Sequence, residues 1–347
     1  MDTQRLTTAD FDYHLPDKLI AQTPPEVRGQ SRLLVVEGGT SKLVDRQFGA
    51  IVELIAPGDL LVLNSTKVRH ARLIGRRPSG AAAEVLLIHP STDDSWIAMG
   101  KPGSALKPGK RIQLGTDAAI ETVAVLEGAN RRVRFIGLTA EAAMERYGQL
   151  PLPPYIERPP NANDDDRYQT VYAEREGSVA APTAGLHFTP ELLAQLVSRG
   201  VTVGKLDLEV GPGTFRPIEV DNPAEHAMHQ ESYQIGDQLA AQYADVRRRA
   251  GKVWAVGTTV VRALESASSL EGNLRTGPNA TSLLILPGYR FMAVDRLITN
   301  FHLPRSTLLM LVSAFGGIET IRRAYRHAIA SQYRFFSYGD SMTIIPD

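Results

Sequence analysis

Pro57-Gly58-Asp59-Leu60-Leu61-Val62-Leu63-Asn64 is a tight turn that feeds four consecutive apolar residues ending at an amide. Proline and glycine supply the dihedral angles of the turn. A short, unbroken apolar run bounded in this way reads as a strand covered on both faces, as in the middle of an α/β layer. Upstream, residues 48–56 have helical spacing, and residues 31–37 and 42–47 read as a hairpin around Gly38-Gly39. Residues 15–22 read as a short helix with Pro16 in its first turn.

Downstream of Asn64 the texture changes. Residues 68–76, 84–89, 96–100, 111–114, 121–127 and 131–136 are short β-rich runs with no long helix between them. Their connectors, Pro78-Ser79-Gly80, Lys101-Pro102-Gly103 and Lys107-Pro108-Gly109, are turn chemistry, so the runs read as a small barrel inserted into the first layer. Residues 139–149 are helical, and Pro151-Leu152-Pro153-Pro154-Tyr155 is a stiff extended segment suited to crossing between domains. Beyond it, helical stretches (190–199, 237–250, 306–314, 319–333) alternate with apolar strands (201–210, 252–256, 282–286). Gly204, inside a strand, marks a close backbone approach, and Asp164-Asp165-Asp166 reads as a solvated loop. The expectation is a large three-layer α/β domain, residues 1–66 and 150–347, interrupted by a small antiparallel β-barrel domain, residues 67–149.

The 347 residues are 43% hydrophobic and contain no cysteine, which excludes a disulfide-stapled module and a disordered chain. The 38 basic and 38 acidic side chains cancel, so a globally basic nucleic-acid binder is excluded and any anionic partner must be met by a local patch. The first twelve residues lack the basic flank and apolar stretch of a secretory signal. The longest apolar run, residues 307–315, is about half of the roughly 20 residues a membrane-spanning helix needs. A cytoplasmic monomer with no membrane association is expected.

Four stretches concentrate chemistry. Residues 181–188, with Thr183, Gly185 and His187, form a small-residue loop before a helix that Thr189 caps and Pro190 starts; the loop either admits a ligand or packs its histidine. Gly257-Thr258-Thr259 sits where a strand hands over to a helix, placing N–H groups and hydroxyls where an anion docks, although the same turn also serves purely structural ends. His226, His229 and Glu231 have a spacing that would hold a metal on a helix. Pro223 before them and the β-like Ser232-Tyr233-Gln234-Ile235 after them favour a loop running into a strand, hence acid–base or hydrogen-bonding roles and no metal. Residues 299–307, with Asn300 and His302, gather polar groups ahead of an all-apolar helix, so they sit inside the protein and need partners or a ligand. Lys67, Arg69, Arg72, Arg76 and Arg77 place five cations at the barrel entry, either a phosphate-binding patch or a solvated face.

Taken together these motifs resemble the S-adenosylmethionine:tRNA ribosyltransferase-isomerase family. The resemblance runs through residues 15–22, Arg32-Leu33-Leu34, residues 57–64, 151–156 and 168–172, the loop 181–188, Gly213-Thr214-Phe215, residues 226–231, Gly257-Thr258-Thr259 with Arg262, Pro287-Gly288-Tyr289, residues 299–306 and residues 333–340. It implies an α/β domain interrupted by a β-barrel and a reaction needing no metal or prosthetic group. S-adenosylmethionine is the co-substrate, and its ribosyl group goes to an aminomethyl-deazaguanine at the wobble position of tRNA, in queuosine biosynthesis. His187, His229, Glu231 and His302 become the catalytic candidates, Thr183, Gly185, Gly257, Thr258, Thr259 and Asn300 the co-substrate contacts, and Lys67, Arg69, Arg72 and Arg76 the tRNA contacts. The chain departs from the family pattern at Glu209, where histidine is usual, at Leu284 and Leu286, where aromatic residues are usual, and at residues 79–83. These departures leave open a diverged family member with altered substrate preference; an RNA-binding module lacking catalysis is the alternative from another class, and a methyltransferase ranks last.

Overall fold

The computed structural model describes residues 6–38, 42–91, 93–215, 218–269 and 272–346. Leu60–Asn64 is the fully buried strand its sequence implies, near the middle of a nine-stranded sheet. The spatial order is Gly277–Thr281, Glu231–Ile235, Thr202–Leu208, Leu60–Asn64, Val253–Val256, Arg296–Asn300, Ser341–Ile345, Arg32–Glu37, Lys42–Gln47. The four neighbours from Thr202–Leu208 to Arg296–Asn300 are parallel, so their carboxyl ends lie along one edge.

Side-chain alternation explains the layers. Leu60 and Val62 join the apolar core formed with helices Asp237–Arg248, Thr258–Ala267, Thr307–Gly316 and Ile318–Ala330. Leu61 and Leu63 point the other way, to Phe48, Ile51 and Leu196, the last two on helices Ile51–Leu54 and Pro190–Ser198. Each such fully buried leucine contributes about 1.5–3 kcal/mol through burial alone. Gly204 is needed because helix Asp237–Arg248 lies close: a Cβ there would sit 2.5 Å from Leu239 Cδ1.

The inserted β-rich runs form a closed six-strand antiparallel barrel. Arg72–Arg76, Ala82–Pro90, Trp96–Lys101, Arg131–Ile136, Ala118–Val125 and Arg111–Leu114 pair in that order, and Arg76 meets Gln113 to close the ring. Gly75 lies at the closure, where a Cβ would fall 2.5 Å from the Gln113 carbonyl oxygen. Helix Ala140–Tyr147, capped by the Thr139 hydroxyl on the Ala142 N–H at 3.2 Å, adds Ala140 and Ala143 to the barrel core. Thr66–Val68 pairs in parallel with Arg175–Ser178, tying the barrel entry to the segment that leads into residues 181–188.

Three local expectations are corrected. Residues 15–22 contain only a single 3-10 turn, Asp17–Leu19, because the chain then pairs with Phe335: the Phe335 N–H donates to the Leu19 carbonyl at 2.8 Å and the Ala21 N–H to the Phe335 carbonyl at 3.2 Å. Residues 282–286 are not a strand; the strand is Gly277–Thr281, and Ile285 reaches the core from irregular chain. Asp164 is not solvated. It sits in helix Ala162–Arg167, fully buried, with its carboxylate held by Arg158 at 2.6 and 2.7 Å and by the Tyr338 hydroxyl at 2.7 Å.

Candidate active site

Ligands of open α/β sheets settle beyond the carboxyl ends of the parallel strands. A cleft opens there, lined by residues that follow the ends of these strands. Val210 follows the strand Thr202–Leu208; Gly257, Thr258 and Thr259 follow Val253–Val256; Thr299, Asn300 and His302 end and follow Arg296–Asn300. Thr183 lines it from the loop, and Tyr155, Phe336 and Ser337 form another part of the wall. Gly257 has φ +94°, a conformation that strains any other residue, and it turns the chain directly into helix Thr258–Ala267. The helix has no side-chain cap, so first-turn N–H groups and the positive end of its dipole are presented to the cleft.

His187 lies behind this surface, not on it. Its Nδ1 is 2.7 Å from Ser31 Oγ and its Nε2 is 3.2 Å from Asn300 Nδ2. Burial pushes its pKa down to about 4, so the ring is neutral at physiological pH. The Asn300 amide also donates to the Phe336 carbonyl at 3.1 Å, so its NH₂ group lies between that carbonyl and His187 Nε2, which accepts. Asn300 Oδ1 and Thr259 Oγ1, both buried on cleft-lining residues, have no hydrogen-bond partner among the described residues. Such orphans are costly unless a ligand or water meets them.

His302 lines the cleft itself. Its Nε2 lies 2.8 Å from Thr299 Oγ1, its backbone N–H donates to the Tyr325 hydroxyl at 2.9 Å, and its carbonyl accepts from the Tyr13 hydroxyl at 2.5 Å. Burial pushes this imidazole down to about 3. Ser306 caps helix Thr307–Gly316 through the Leu309 N–H at 3.2 Å and still borders the cleft. The Tyr155 and Phe336 rings, also in the lining, pack at 4.8 Å, and the Tyr155 and Ser337 hydroxyls lie 2.5 Å apart.

The remaining candidates are placed differently. Gly185 is outside the cleft lining and packs against Tyr172 and Thr170. Glu231 begins the strand Glu231–Ile235 and forms a buried ion pair with Arg262 of helix Thr258–Ala267. The antiparallel register, continued by the Glu209 N–H to Ser232 carbonyl bond of 2.9 Å, sets Glu231 beside Val210, at the flank of the cleft. His229 is exposed and packs on Gly213. No group of three or more His, Asp or Glu placed to hold a metal occurs among the described residues. The cations at the barrel entry are largely engaged: Lys67 with Glu176 at 3.0 Å, Arg72 with Glu84 at 2.7 Å, and Arg69 with the Gly177 carbonyl at 2.7 Å and the face of Trp96 at 5.3 Å. Arg76 is exposed and donates to the Gly80 carbonyl at 3.0 Å.

Comparison with known proteins agrees with this architecture. The family model described as "Queuosine biosynthesis protein" matches residues 8–344. S-adenosylmethionine:tRNA ribosyltransferase-isomerases from Symbiobacterium thermophilum and Thiobacillus denitrificans are 49% and 50% identical, each over 97% of this chain and over 99% and 97% of their own. The chain belongs to the S-adenosylmethionine:tRNA ribosyltransferase-isomerase family. A protein of that name from Burkholderia mallei is 50% identical over 98% of this chain. The crystal structure of an S-adenosylmethionine tRNA ribosyltransferase from Thermotoga maritima superposes with a TM-score of 0.56 at 35% identity, covering 97% of this chain and all of that one.

Tyr155, Phe336, Ser337 and Val210 line the cleft without a local sequence signal that marks them. Tyr155 belongs to a proline-rich segment whose pattern says only domain crossing, and residues 333–340 stand out only through the family resemblance. No local pattern assigns either stretch to the same wall.

Proposed function

We propose that this cleft binds S-adenosylmethionine and that the enzyme transfers and isomerises its ribosyl group onto the aminomethyl-deazaguanine at the tRNA wobble position. Adenine and methionine leave and epoxyqueuosine-tRNA remains. The observation that carries the reading is the coincidence, at the strand ends, of a helix N-terminus with two buried unpartnered polar atoms, Asn300 Oδ1 and Thr259 Oγ1. The first turn of helix Thr258–Ala267 suits the carboxylate of the methionine portion. The Tyr155–Phe336 corner offers aromatic surface to a base.

The sulfonium acidifies the ribose methylene beside it. A base takes that proton and the ring opens as adenine departs with a proton supplied to it; the amine of the tRNA base attacks the opened sugar and gives up a proton, and methionine leaves with the C–S electron pair as a neutral thioether. His302 faces the cleft in its neutral, proton-accepting form, and Thr299 orients it. Glu231 holds Arg262 and with it the helix whose first turn lines the site. Glu209, where the family has histidine, can accept but not donate hydrogen bonds while ionised.

On this reading the α/β part, residues 1–66 and 150–347, performs the chemistry, and the barrel, residues 67–149, steadies the tRNA. The flipped wobble base is held by stacking and edge contacts, and its flanking phosphates by Arg76 and by Lys67 and Arg72 as they exchange their carboxylate partners. The enzyme acts as a cytoplasmic monomer without a prosthetic group; no described helix is long and apolar enough to cross a membrane. The test is to incubate the protein with labelled S-adenosylmethionine and wobble-modified tRNA. Adenine and methionine released in equal amounts, with a ribosyl-derived mass gain on the nucleoside, support the reading. Tight tRNA binding without adenine release overturns it.

A further inference from the structure

Ser31, His187 and Asn300 form a buried hydrogen-bonded line ending at the cleft. Ser31 precedes the strand Arg32–Glu37, His187 ends the turn Thr183–His187, and Asn300 ends the strand Arg296–Asn300, so three separated segments meet at one amide. Both Asn300 amide hydrogens are claimed from within the protein, by His187 Nε2 and by the Phe336 carbonyl. The oxygen of the same amide has no partner among the described residues, and Asn300 is 2% exposed.

Resting on the reading of the cleft as the S-adenosylmethionine site, we propose that His187 is a positioning residue which, through Ser31, locks Asn300 with its Oδ1 as the acceptor for a neutral N–H or O–H donor of the co-substrate. An unlocked amide can turn over and present its NH₂ group, so that the site prefers an acceptor in place of a donor. A site built to accept from a ligand hydrogen discriminates strongly against an analogue that lacks it, because its own buried group is then unpaired. The donor is either the exocyclic amine of the adenine or a ribose hydroxyl, and analogues separate the two. His187 itself neither lines the cleft nor carries a charge, so it takes no proton from the substrate.

The experiment measures binding by calorimetry without tRNA, together with turnover, for the wild type, H187Q, H187F, S31A and N300A. The probes are S-adenosylmethionine, its inosine counterpart, in which a carbonyl replaces the amine, and its 2′-deoxy and 3′-deoxy forms. The glutamine of H187Q presents an amide oxygen at the position of the imidazole Nε2, whereas the phenylalanine of H187F fills the space and accepts nothing. The expected result is that H187Q binds and turns over within threefold of the wild type. H187F binds about tenfold more weakly, with the loss in KM and little in kcat. In N300A the wild type's preference for one donor-bearing probe over its donor-less analogue collapses to near unity. S31A, which keeps the Asn300 contact, gives a weaker version of the H187F result and keeps the inference testable should H187F fail to fold. The inference is overturned if H187Q loses turnover a hundredfold with unchanged KM, since His187 then transfers a proton. It is equally overturned if N300A keeps the wild type's discrimination among all the probes. If the wild type itself fails to bind S-adenosylmethionine, it is the assignment of the cleft that fails.

Discussion

Replacing Glu231 separates a structural from a chemical role for a residue whose sequence context suggests catalysis. Its side chain and that of Arg262 are 7% and 6% exposed. Removing one charge of so buried a pair leaves the other uncompensated, which costs about 3–5 kcal/mol. For E231Q that corresponds to a fall in melting temperature on the order of 10 °C, taking roughly 2–4 °C per kcal/mol. In E231L/R262M both charges go and the volume is kept. That variant also gives up the bond from Arg262 Nε to the Leu283 carbonyl at 3.0 Å, worth about 1 kcal/mol. The double variant is therefore expected to be at least about 2 kcal/mol more stable than the sum of the single effects implies. Urea unfolding of the wild type, E231L, R262M and E231L/R262M measures this, and turnover is read on each folded sample. The double variant should retain turnover within tenfold of the wild type, because the helix bearing Thr258 and Thr259 is held again. Additive destabilisation, or a folded double variant that has lost turnover a hundredfold, would refute the argument and return Glu231 to the chemistry.

Other consequences follow from the same geometry. The depressed pKa values of His187 and His302, about 4 and about 3, mean that the unfolded chain binds more protons below pH 6.5. Stability therefore falls as pH drops from about 6.5 towards 4, by up to about 1.4 kcal/mol per pH unit for each imidazole. Urea midpoints measured against pH should show H187F with a slope shallower by one proton, and an unchanged slope would contradict the assigned neutral state. G185A forces a Cβ against the Tyr172 hydroxyl and 2.8 Å from Thr170 Cγ2, so it should destabilise by about 1–3 kcal/mol. Y172F in the same chain should recover part of that loss in thermal melts. R76E should weaken tRNA binding and flatten its salt dependence by about one ion without changing S-adenosylmethionine affinity, as read by filter binding from about 50 to about 200 mM salt.

Much of the fold can be read from local pattern. The run Leu60-Leu61-Val62-Leu63 declares its burial because both faces of its strand meet apolar layers. The barrel shows itself through turn chemistry between short runs. What escapes depends on distant partners. Arg296–Asn300 mixes a cation, a hydroxyl and an amide with two apolar residues and does not look like a central strand, yet Val253–Val256 and Ser341–Ile345 enclose it. Asp164 reads as surface until Arg158 and Tyr338 are brought to it. At the site, Gly257-Thr258-Thr259 and Asn300 are legible because a strand-to-helix turn and a polar cluster before a buried helix have local signatures. The different situations of His187, Glu231 and His302 are not. Whether an imidazole fronts a cleft or stands behind an asparagine, and whether a carboxylate is met by an arginine of another element, is decided by long-range packing alone.

The most direct test is a structure of the protein crystallised with S-adenosylmethionine. The account predicts the ligand between Gly257-Thr258-Thr259 and Asn300, with a donor within about 3.2 Å of Asn300 Oδ1. A ligand seated on the barrel, or one in the cleft that leaves Asn300 Oδ1 and the first turn of helix Thr258–Ala267 untouched, would contradict it.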